Sequence, residues 1–454
     1  MPISYRLLKN IKEGECMSDN RLFKEKSIDS TRSVFMEFLN KNEAWFGNLI
    51  YGIKAGWIDN GCNITEILLR EGRPVAIAVL KAYIPCYCKD GENEFKPTKN
   101  QIFGVVERFV GNIDGEEERG RKHFYGESVD FSFQVFGLGI FRVNFSHSNE
   151  GVTLSIRCLP YDVPELEAVG YPAVYRKYLE TIIEKVNLKS PPVMQESFYL
   201  QLGEGESPAL INEPTMGTLK VAVPRSGGGL ILHIGPTGSG KTTAMAAEVN
   251  HVAMNTTGLI LTYEDPPEYA FIATDAPVSS FELGRDIKES EDFTMAEMVQ
   301  RHSLRKNPAV IMFGEMRTIE QMRMVVDMAN RGHWVFTSMH GNSVSESIGT
   351  LASIFKDEPY VLANSLKAAV AHRLATNMKG EIVPLFEIFI PDKVRIEALA
   401  KGDITEIKRV FKEKLGDQSV SFENSIENLI STGKISLSEA DQIRKTALGR
   451  EGQK

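Results

Sequence analysis

The chain has 454 residues and a formal net charge of -8, with 42% hydrophobic and 25% charged residues. A chain of this length exceeds what one hydrophobic core usually serves, so we expect a globular protein of two or three domains. The acidic balance argues against a dedicated nucleic-acid-binding protein, which would carry a basic surface.

Membrane and disulfide signals are weak along the sequence. No apolar run approaches the ~18–20 residues of a membrane-spanning helix, and the first residues show no apolar signal-peptide core. The cysteines form no Cys-x-x-Cys pair, which is typical of a reducing compartment; they are Cys16, Cys62, Cys86, Cys88 and Cys158. Cys86 and Cys88 could chelate a metal in principle, but without a second cysteine pair we expect no zinc site. We expect a cytoplasmic protein that reaches a membrane through a partner or a surface contact.

Composition and periodicity divide the chain into five segments. A polar, irregular tail precedes an α+β region, a stretch rich in proline and glycine, a region of alternating strands and helices, and a charged helical end. We therefore predict a flexible tail over residues 1–34, an α+β N-terminal domain over 35–160, a linker with an inserted segment over 161–228, an α/β domain over 229–391 and a helical C-terminal region over 392–454.

The N-terminal domain is predicted from helix-like stretches that alternate with short strand-like runs. Residues 132–148 are interpreted as one strand and residues 151–159 as the next. Both are rich in β-branched and aromatic residues, and Asn149-Glu150 stands between them. This pattern predicts a β-hairpin.

The α/β domain is predicted from apolar strand-like runs that alternate with helices, an order typical of a parallel sheet with crossovers. The runs are LILHIG, GLILTYE, AVIMFGE and WVFTSMH. Ligands of open parallel sheets bind beyond the carboxyl ends of the strands. We therefore look for functional side chains where these runs end.

A glycine-rich loop follows the first of these runs and leads into a helical stretch. Its glycines stand where the backbone must turn sharply and approach phosphate, and the helix N-terminus points its amides at phosphate oxygens. Lys241 would neutralise charge on the β- and γ-phosphates, and the Thr242 hydroxyl would bind Mg²⁺. A chance match is a poor explanation, because the strand and the helix that the motif requires are both present. The sequence thus predicts binding of ATP and Mg²⁺ by Gly235, Pro236, Thr237, Gly238, Ser239, Gly240, Lys241, Thr242 and Thr243.

Acidic residues end two of the other runs. Glu315 ends AVIMFGE, and we predict that it positions or activates the attacking water, partly through Mg²⁺, from the strand adjacent to the loop. Glu264, Asp265 and Glu268 come with GLILTYEDPPEY and would reach the same edge of the sheet. A solvated acidic turn is the alternative interpretation of this second cluster.

Histidines and arginines give weaker signals. His333 and His340 flank the WVFTSMH strand; taken alone they need share no role, and a zinc pair would lack further ligands. Arg301 and Arg305 are four residues apart and would share one face of a helix. A solvated face is the ordinary interpretation of such a pair, and contact with phosphate or with a neighbouring subunit is the alternative.

Taken in order, these segments resemble the type II/type IV secretion ATPase superfamily, which includes pilus assembly and retraction motors and related secretion and conjugation ATPases. The resemblance covers most of residues 60–445. GPTGSGKTT resembles the Walker A motif, TYEDPPEY the Asp box, VIMFGEMRT the atypical Walker B motif, GHWVFTSMH the His box and RHSLRKNP the arginine-bearing helix before Walker B. The GEMR sequence and the missing tetracysteine zinc module favour the retraction-type and the conjugative or type IVB-like members.

The resemblance implies a PAS-like N-terminal domain, a RecA-like P-loop core with a parallel sheet, C-terminal helices and a homohexamer. It implies Glu315 as the catalytic carboxylate, Glu264 as an assistant at the metal and His340 as a sensor of the γ-phosphate. The candidates for stabilising phosphate charge are Arg142 and Arg157, beside Arg301 and Arg305. Five positions depart from the family pattern. Thr318 stands where Asp is usual, Asn307 and Ala309 replace the aspartates that often flank Pro308, Gly341 stands where Thr is common, and His372 where Gln is usual.

The sequence therefore predicts an ATP-hydrolysing motor at the cytoplasmic face of the bacterial inner membrane. It would drive type IV pilus dynamics, type II/IV secretion or conjugative transfer by acting on an inner-membrane platform protein, without direct nucleic-acid contact. Extension, retraction, secretion and conjugation all stay open at this stage. The alternatives are a RecA-type nucleic-acid helicase or translocase, which predicts turnover stimulated by DNA or RNA, and a non-motor nucleotide switch, which predicts negligible hydrolysis.

Overall fold

The chain folds into two compact units, which comprise residues 1–162 with 268–270 and residues 163–267 with 271–454. The computed structural model describes residues 35–39, 41–52, 64–79, 82–85, 95–110, 128–135, 139–159, 163–187, 200–201, 209–210, 227–271, 274–378, 381–413 and 419–447. The predicted tail, most of the predicted insertion, and every cysteine except Cys158 lie outside these residues. Cys158 is a buried free thiol. The predicted limits of the five segments stay predictions.

The first unit contains a six-stranded sheet in which every pairing is antiparallel, with the order β3-β2-β1-β6-β5-β4. Its strands are β1 Ile64–Arg70, β2 Ala76–Val79, β3 Ala82–Pro85, β4 Val129–Val135, β5 Gly139–Ser148 and β6 Gly151–Leu159. Residues 35–39 and 41–52 are helical, and helix α1 spans Lys99–Val110. Burial alternates along β1 and β6, so that one face of the sheet packs against the helices. The prediction of an α+β unit is confirmed.

The hairpin around Asn149-Glu150 is confirmed, because β5 and β6 pair in register from Ser148 opposite Gly151. The interpretation of residues 132–148 as one strand is wrong. Those residues belong to two antiparallel strands, β4 and β5, which pair from Val135 opposite Gly139. The run was predicted as one strand because it is apolar throughout. The glycines at 137 and 139 are a turn signal that indicates two strands instead.

Aromatic rings form the centre of the first unit. The ring of Phe133 on β4 stacks on Phe109 of α1 at 4.6 Å and on Phe141 of β5 at 4.9 Å between centroids. Phe35 also stacks on Phe133, at 5.8 Å. Because a buried aromatic ring contributes both apolar area and ring-pair energy, Phe133 ties the helices to the sheet.

We expect the substitution Phe133→Ala to destabilise the first unit by about 3–5 kcal/mol, because it removes a buried ring and leaves a cavity. Hydrogen exchange followed by mass spectrometry should show faster exchange in β5 and β6 but unchanged exchange in residues 229–264. The control is Tyr83→Ala on edge strand β3, where the side chain is 50% exposed. Equal exchange in the two variants would contradict the central role of Phe133.

The second unit contains a seven-stranded sheet with the order β11-β10-β12-β13-β9-β14-β15. Its strands are β9 Gly229–Ile234, β10 Ile260–Glu264, β11 Val278–Glu282, β12 Val310–Glu315, β13 Trp334–Met339, β14 Leu366–Thr376 and β15 Ile382–Phe389. A short pairing of β7 Leu200–Gln201 with β8 Ala209–Leu210 stands apart from it. The four strands predicted from apolar runs are β9, β10, β12 and β13, and all four are confirmed.

The sheet of the second unit contains the predicted parallel strands and, in addition, one antiparallel strand at its edge. Pairings from β11 to β14 are parallel, whereas β15 runs antiparallel to β14. The reason lies in the connection, because only residues 377–381 join β14 to β15. A parallel neighbour would need a crossover of about a dozen residues or more, so a link this short imposes an antiparallel hairpin.

Helices cover the sheet of the second unit. They are α2 Leu166–Val169, α3 Ala173–Asn187, α4 Lys241–Met254, α5 Met295–Lys306, α6 Ile319–Asn330, α7 Val344–Ile354, α8 Pro359–Ser365, α9 Lys393–Lys401, α10 Ile404–Glu413, α11 Phe422–Ser431 and α12 Leu437–Ala447. Helix α3 lies in the stretch for which the sequence predicts a linker, and its residues Tyr175, Leu179 and Ile182 are buried at helical spacing. Among the described residues no helix is both long and apolar enough to cross a membrane.

Candidate functional site

The glycine-rich loop joins β9, which is buried along its whole length, to α4. Gly238 and Gly240 have φ angles of 75° and 87°, a backbone region that only glycine enters without strain. A Cβ on Gly235 would lie 2.4 Å from Ser239 Oγ and 2.9 Å from the carbonyl oxygen of His372. The loop is therefore too tightly wound for side chains at its glycine positions.

Lys241 is the first residue of α4 and is buried against the loop. Its Nζ donates to the carbonyl oxygens of Gly235 at 2.7 Å and Pro236 at 3.0 Å. Thr242 and Thr243 are half-buried in the first helical turn, which contains no acidic residue. A lysine amine and helix N-terminal amides around a tight glycine loop fit a phosphate group, because they place positive charge and donors together.

Glu315 is the last residue of β12 and lies between two basic side chains. Its Oε1 is 2.8 Å from His340 Nε2, and its Oε2 accepts a hydrogen bond from Arg317 Nε at 2.9 Å. Arg317 also reaches Asp265, with 3.4 Å between Nη1 and Oδ2. Residues that follow β10, β12 and β13 thus meet around one carboxylate at the carboxyl edge of the sheet.

The strand order corrects one detail of the sequence analysis. Glu315 was expected on the strand adjacent to the glycine-rich loop, but β13 lies between β12 and β9. Sequence order along the chain does not reveal which strands pair, since crossovers can skip a position in a sheet. His340, which follows β13, therefore belongs to the strand next to the loop, and it joins that strand to Glu315.

A local irregularity aims the Glu315 side chain. The β12–β13 register shifts between Phe313 and Glu315, so the strand carries a bulge at Gly314. The Ser338 hydroxyl donates to the Gly314 carbonyl at 2.8 Å, and the Met316 amide donates to the Ser338 carbonyl at 2.8 Å. These hydrogen bonds hold the end of β12 to β13.

The three acidic residues at the end of β10 and just after it have different surroundings. Glu264 is buried at the end of β10, and a Cβ on Gly314 would lie 3.5 Å from its Cα, so Glu264 and Glu315 share an edge of the sheet. Asp265 is exposed and pairs with Arg317. Glu268 clusters with the first unit, where its Oε1 lies 3.2 Å from Arg142 Nη2.

The remaining predicted arginines lie on β5, β6 and α5. Arg142 on β5 stands directly opposite Arg157 on β6 in the first unit, and Arg157 is exposed. Arg301 and Arg305 are exposed on α5, where the Arg301 guanidinium lies 3.9 Å from the centre of the Phe293 ring. Helix α5 leads into the start of β12, whereas Glu315 ends that strand, roughly 16 Å further along at ~3.3 Å per residue.

The two histidines that flank β13 do not form one site. His333 is buried at the start of the strand, with its Nδ1 2.7 Å from the Pro308 carbonyl oxygen. His340 is at the opposite end with Glu315. A shared zinc site is therefore excluded by the length of the strand between them.

Arg317 was not predicted to have a role, although it stands only two residues after the predicted catalytic carboxylate. Its position was visible in the GEMR motif, but a charged residue just after a strand is usually solvated, and only the fold shows it between Glu315 and Asp265. The buried polar cluster of Glu248, His233 and His372, described below, was also missed.

Comparisons with known proteins agree with this geometry. The family described as "Type II/IV secretion system protein" matches residues 209–401, which include the glycine-rich loop and Glu315. The chain is 24% identical to the type IV pilus ATPase PilU of Pseudomonas aeruginosa over 76% of each chain. It is 27% identical to the type IV pilus retraction ATPase PilT of the same organism over 70% of this chain and 79% of PilT. The chain is therefore similar to the type II/IV secretion ATPases over most of its length.

Superfamily members of known structure share the fold. The pilus retraction motor PilT with bound ADP aligns with a TM-score of 0.63 at 24% identity, over 87% of this chain and 96% of PilT. The Legionella pneumophila ATPase DotB aligns with a TM-score of 0.63 at 18% identity, over 88% of this chain and 96% of DotB. The predicted fold class is thereby confirmed, with a mixed core sheet and an antiparallel N-terminal sheet.

Alignment length separates the branches of the superfamily. The chain aligns with 76% of PilU and 79% of PilT, but with only 42% of the pilus assembly ATPase PilB and 30% of the type II secretion protein HxcR, both also from Pseudomonas aeruginosa. The predicted kinship with the retraction-type members is therefore confirmed.

Thr318, which departs from the usual family Asp, caps helix α6. Its side chain accepts a hydrogen bond from the Gln321 amide, and the Gln321 side chain in turn accepts one from the Thr318 amide. The Gln321 side chain also accepts from the Arg317 amide at 2.7 Å. Because Thr and Asp both act as helix N-caps, Thr318 supplies the kind of cap that an aspartate would supply here.

We expect Thr318→Ala to destabilise α6 by about 1 kcal/mol, because it removes the side-chain acceptor of the cap. Thr318→Asp should leave stability nearly unchanged. Hydrogen exchange of the first-turn amides of α6 measures both effects. An alanine variant with wild-type exchange would show that the cap contributes nothing.

Proposed function

We propose that this ATPase works as a homohexameric motor at the cytoplasmic face of a bacterial inner membrane, where it moves pilus or secretion subunits through a platform protein. The observation that carries the proposal is the grouping of Glu315, His340 and Arg317 at the sheet edge to which the Lys241 loop also belongs. The long alignments with pilus ATPases support a pilus-type role.

In this proposal the loop and the start of α4 hold the nucleotide. Lys241 exchanges its bonds to the Gly235 and Pro236 carbonyls for phosphate oxygens, and the half-buried Thr242 binds Mg²⁺. Bound Mg²⁺ neutralises phosphate charge and needs only one or two protein ligands besides phosphates and water. Thr242 and Glu315 are the protein groups we assign to it, and ATP and Mg²⁺ are the cofactors.

Glu315 is proposed to orient the attacking water and accept its proton. A carboxylate has about four acceptor positions, so Glu315 can keep His340 and Arg317 and still bind water. Two fixed donors hold the carboxylate in one orientation, and such preorganisation lowers the barrier without rearrangement during the reaction. Glu264, buried at the same edge, is assigned to the metal or its waters.

His340 is assigned as the group that reports the γ-phosphate. It follows β13, the strand beside the loop strand β9, and it contacts Glu315 from β12. A phosphate arriving at the loop competes with Glu315 for this imidazole, so that bound triphosphate changes the support of the catalytic carboxylate. Arg142, Arg157, Arg301 and Arg305 are proposed to act on phosphate charge of their own or a neighbouring subunit.

The test is the substitution Glu315→Gln, which keeps shape but removes the proton acceptor. We expect ATP turnover to fall by about 10²–10⁴-fold, while the Kd for ATP changes little. The matched control is Glu320→Gln, an exposed carboxylate in the first turn of α6. Turnover is measured by phosphate release and binding by calorimetry.

Lys241→Ala completes the test, because it should abolish tight ATP binding rather than turnover alone. A Glu315→Gln variant that hydrolyses ATP at the wild-type rate would contradict the assignment of Glu315 as the catalytic carboxylate. Wild-type turnover that rises only when DNA or RNA is added would favour a nucleic-acid translocase over a pilus or secretion motor.

A further inference from the structure

A buried polar cluster lies beneath the nucleotide loop in the second unit. Its members come from α3, α4, β9 and β14, and each is no more than 2% exposed. We call it the Glu–His network, and it consists of Tyr175, Glu248, His233 and His372. Polar groups are rarely placed in a core without partners, so four of them in contact require an explanation.

The contacts run as a chain from helix α3 to strand β14. The Tyr175 hydroxyl donates to Glu248 Oε2 at 3.1 Å, and His233 Nε2 lies 3.4 Å from the same oxygen. His233 Nδ1 is 2.9 Å from His372 Nε2, which is a hydrogen-bond distance. The two imidazole rings also stack, at 5.1 Å between centroids.

The chemistry of the groups assigns the protons along this chain. Burial first, and then the electrostatic effects of the neighbouring His233 and Lys241, hold the pKa of His372 well below its usual value, so its ring is neutral. Burial, and then the Glu248 carboxylate, raise the pKa of Tyr175 well above its usual value, so its hydroxyl keeps its proton. One imidazole donates to the other between His233 Nδ1 and His372 Nε2, whereas His233 Nε2 faces Glu248 Oε2 at 3.4 Å without hydrogen-bond geometry.

The last member of the chain touches the nucleotide loop. Strand β14 pairs with β9 so that Ala371 stands opposite Ile234, which places His372 beside Gly235. The carbonyl oxygen of His372 is the atom that a Cβ on Gly235 would meet at 2.9 Å. The Gly235 carbonyl is in turn an acceptor for Lys241 Nζ. A shift of His372 would therefore displace the backbone that holds the phosphate-binding lysine.

We propose that the Glu–His network positions the nucleotide loop and thereby sets its affinity for nucleotide phosphates. The inference rests on the proposed nucleotide binding, and it assigns to His372, Glu248, His233 and Tyr175 a positioning role rather than contact with substrate. The ring of His372 anchors β14, and Glu248 anchors that ring through His233. Helix α3 contributes Tyr175 to the Glu–His network. A change in the position of this helix therefore changes the position of Gly235.

A purely structural role is the competing explanation. Apolar residues of similar volume often stabilise a core as well as a buried charged group does, because burying charge has a desolvation cost. If the network served stability alone, its substitutions would change the melting temperature but leave nucleotide affinity untouched. Affinity is therefore the quantity that separates the two explanations.

The experiment measures the Kd for MgADP by calorimetry, and KM and kcat for ATP, in single variants of the full chain. We expect His372→Leu and Tyr175→Phe each to raise Kd and KM about five- to tenfold, the effect of one lost hydrogen bond, with kcat nearly unchanged. His372→Gln should restore affinity, because an amide can both donate and accept. The matched control is Tyr178→Phe on the same helix, α3. This substitution removes a hydroxyl that donates to the Lys367 carbonyl outside the network, and it should not change Kd.

The double variant Tyr175→Phe with His372→Leu tests whether the residues act as one chain. Members of one network are not independent, so the double variant should be little weaker in binding than either single variant. Additive losses, an unchanged Kd in both single variants, or a glutamine variant no better than leucine would each overturn the proposal. If His372→Leu fails to fold, Tyr175→Phe and His372→Gln still decide the matter.

Failure of this inference is distinct from failure of the proposed function. A wild-type chain that binds and hydrolyses ATP, with variants that bind MgADP equally well, would overturn only the positioning role. A wild-type chain that binds MgADP but never hydrolyses ATP would overturn the motor, while the variant affinities would still test the network. A wild-type chain that binds no MgADP would overturn both.

Discussion

The structure of the candidate site depends on one constraint, which is that parallel strands end at the same edge of a sheet. β9, β10, β12 and β13 run parallel, and each ends at or next to a proposed site residue. Because the strands end together, His340 after β13 and Arg317 after β12 both contact the carboxylate of Glu315. Since these partners come from different strands, the site exists only when the sheet is assembled.

Much of this arrangement could be predicted from the sequence because its elements are coded locally. The four strand-like runs are short, apolar and bounded by glycine or charge, and the glycine-rich loop carries its own geometric requirement at Gly238 and Gly240. The hairpin at Asn149 was recognisable for the same reason. β14 and β15 were not predicted, since their pairing depends on the link between them and on the free edge beside β9, neither of which is a local property.

The parts of the site that escaped prediction are those defined by pairing in space. Nothing in the sequence shows that β13 lies between β12 and β9, so the distance from Glu315 to the loop could not be read from chain order. Arg317 looked like an ordinary charged residue beyond a strand. Glu248 and His233 stand among apolar neighbours in sequence, and the reason for their polarity emerges only when α4, β9 and β14 meet.

The two proposals assign roles to two carboxylates in different surroundings, Glu315 and Glu248. Glu315 and its partners lie at the solvent-accessible edge, where a carboxylate can reach water, whereas Glu248 lies in the core, where it can reach only protein. A buried carboxylate is costly unless polar partners surround it; here Tyr175 of α3 donates to Glu248, and His233 Nε2 of β9 lies 3.4 Å from it. That cost makes the position of α3 and the position of the loop interdependent. A motor of this design could therefore change nucleotide affinity through helix α3, which is connected to the glycine-rich loop by the Glu–His network.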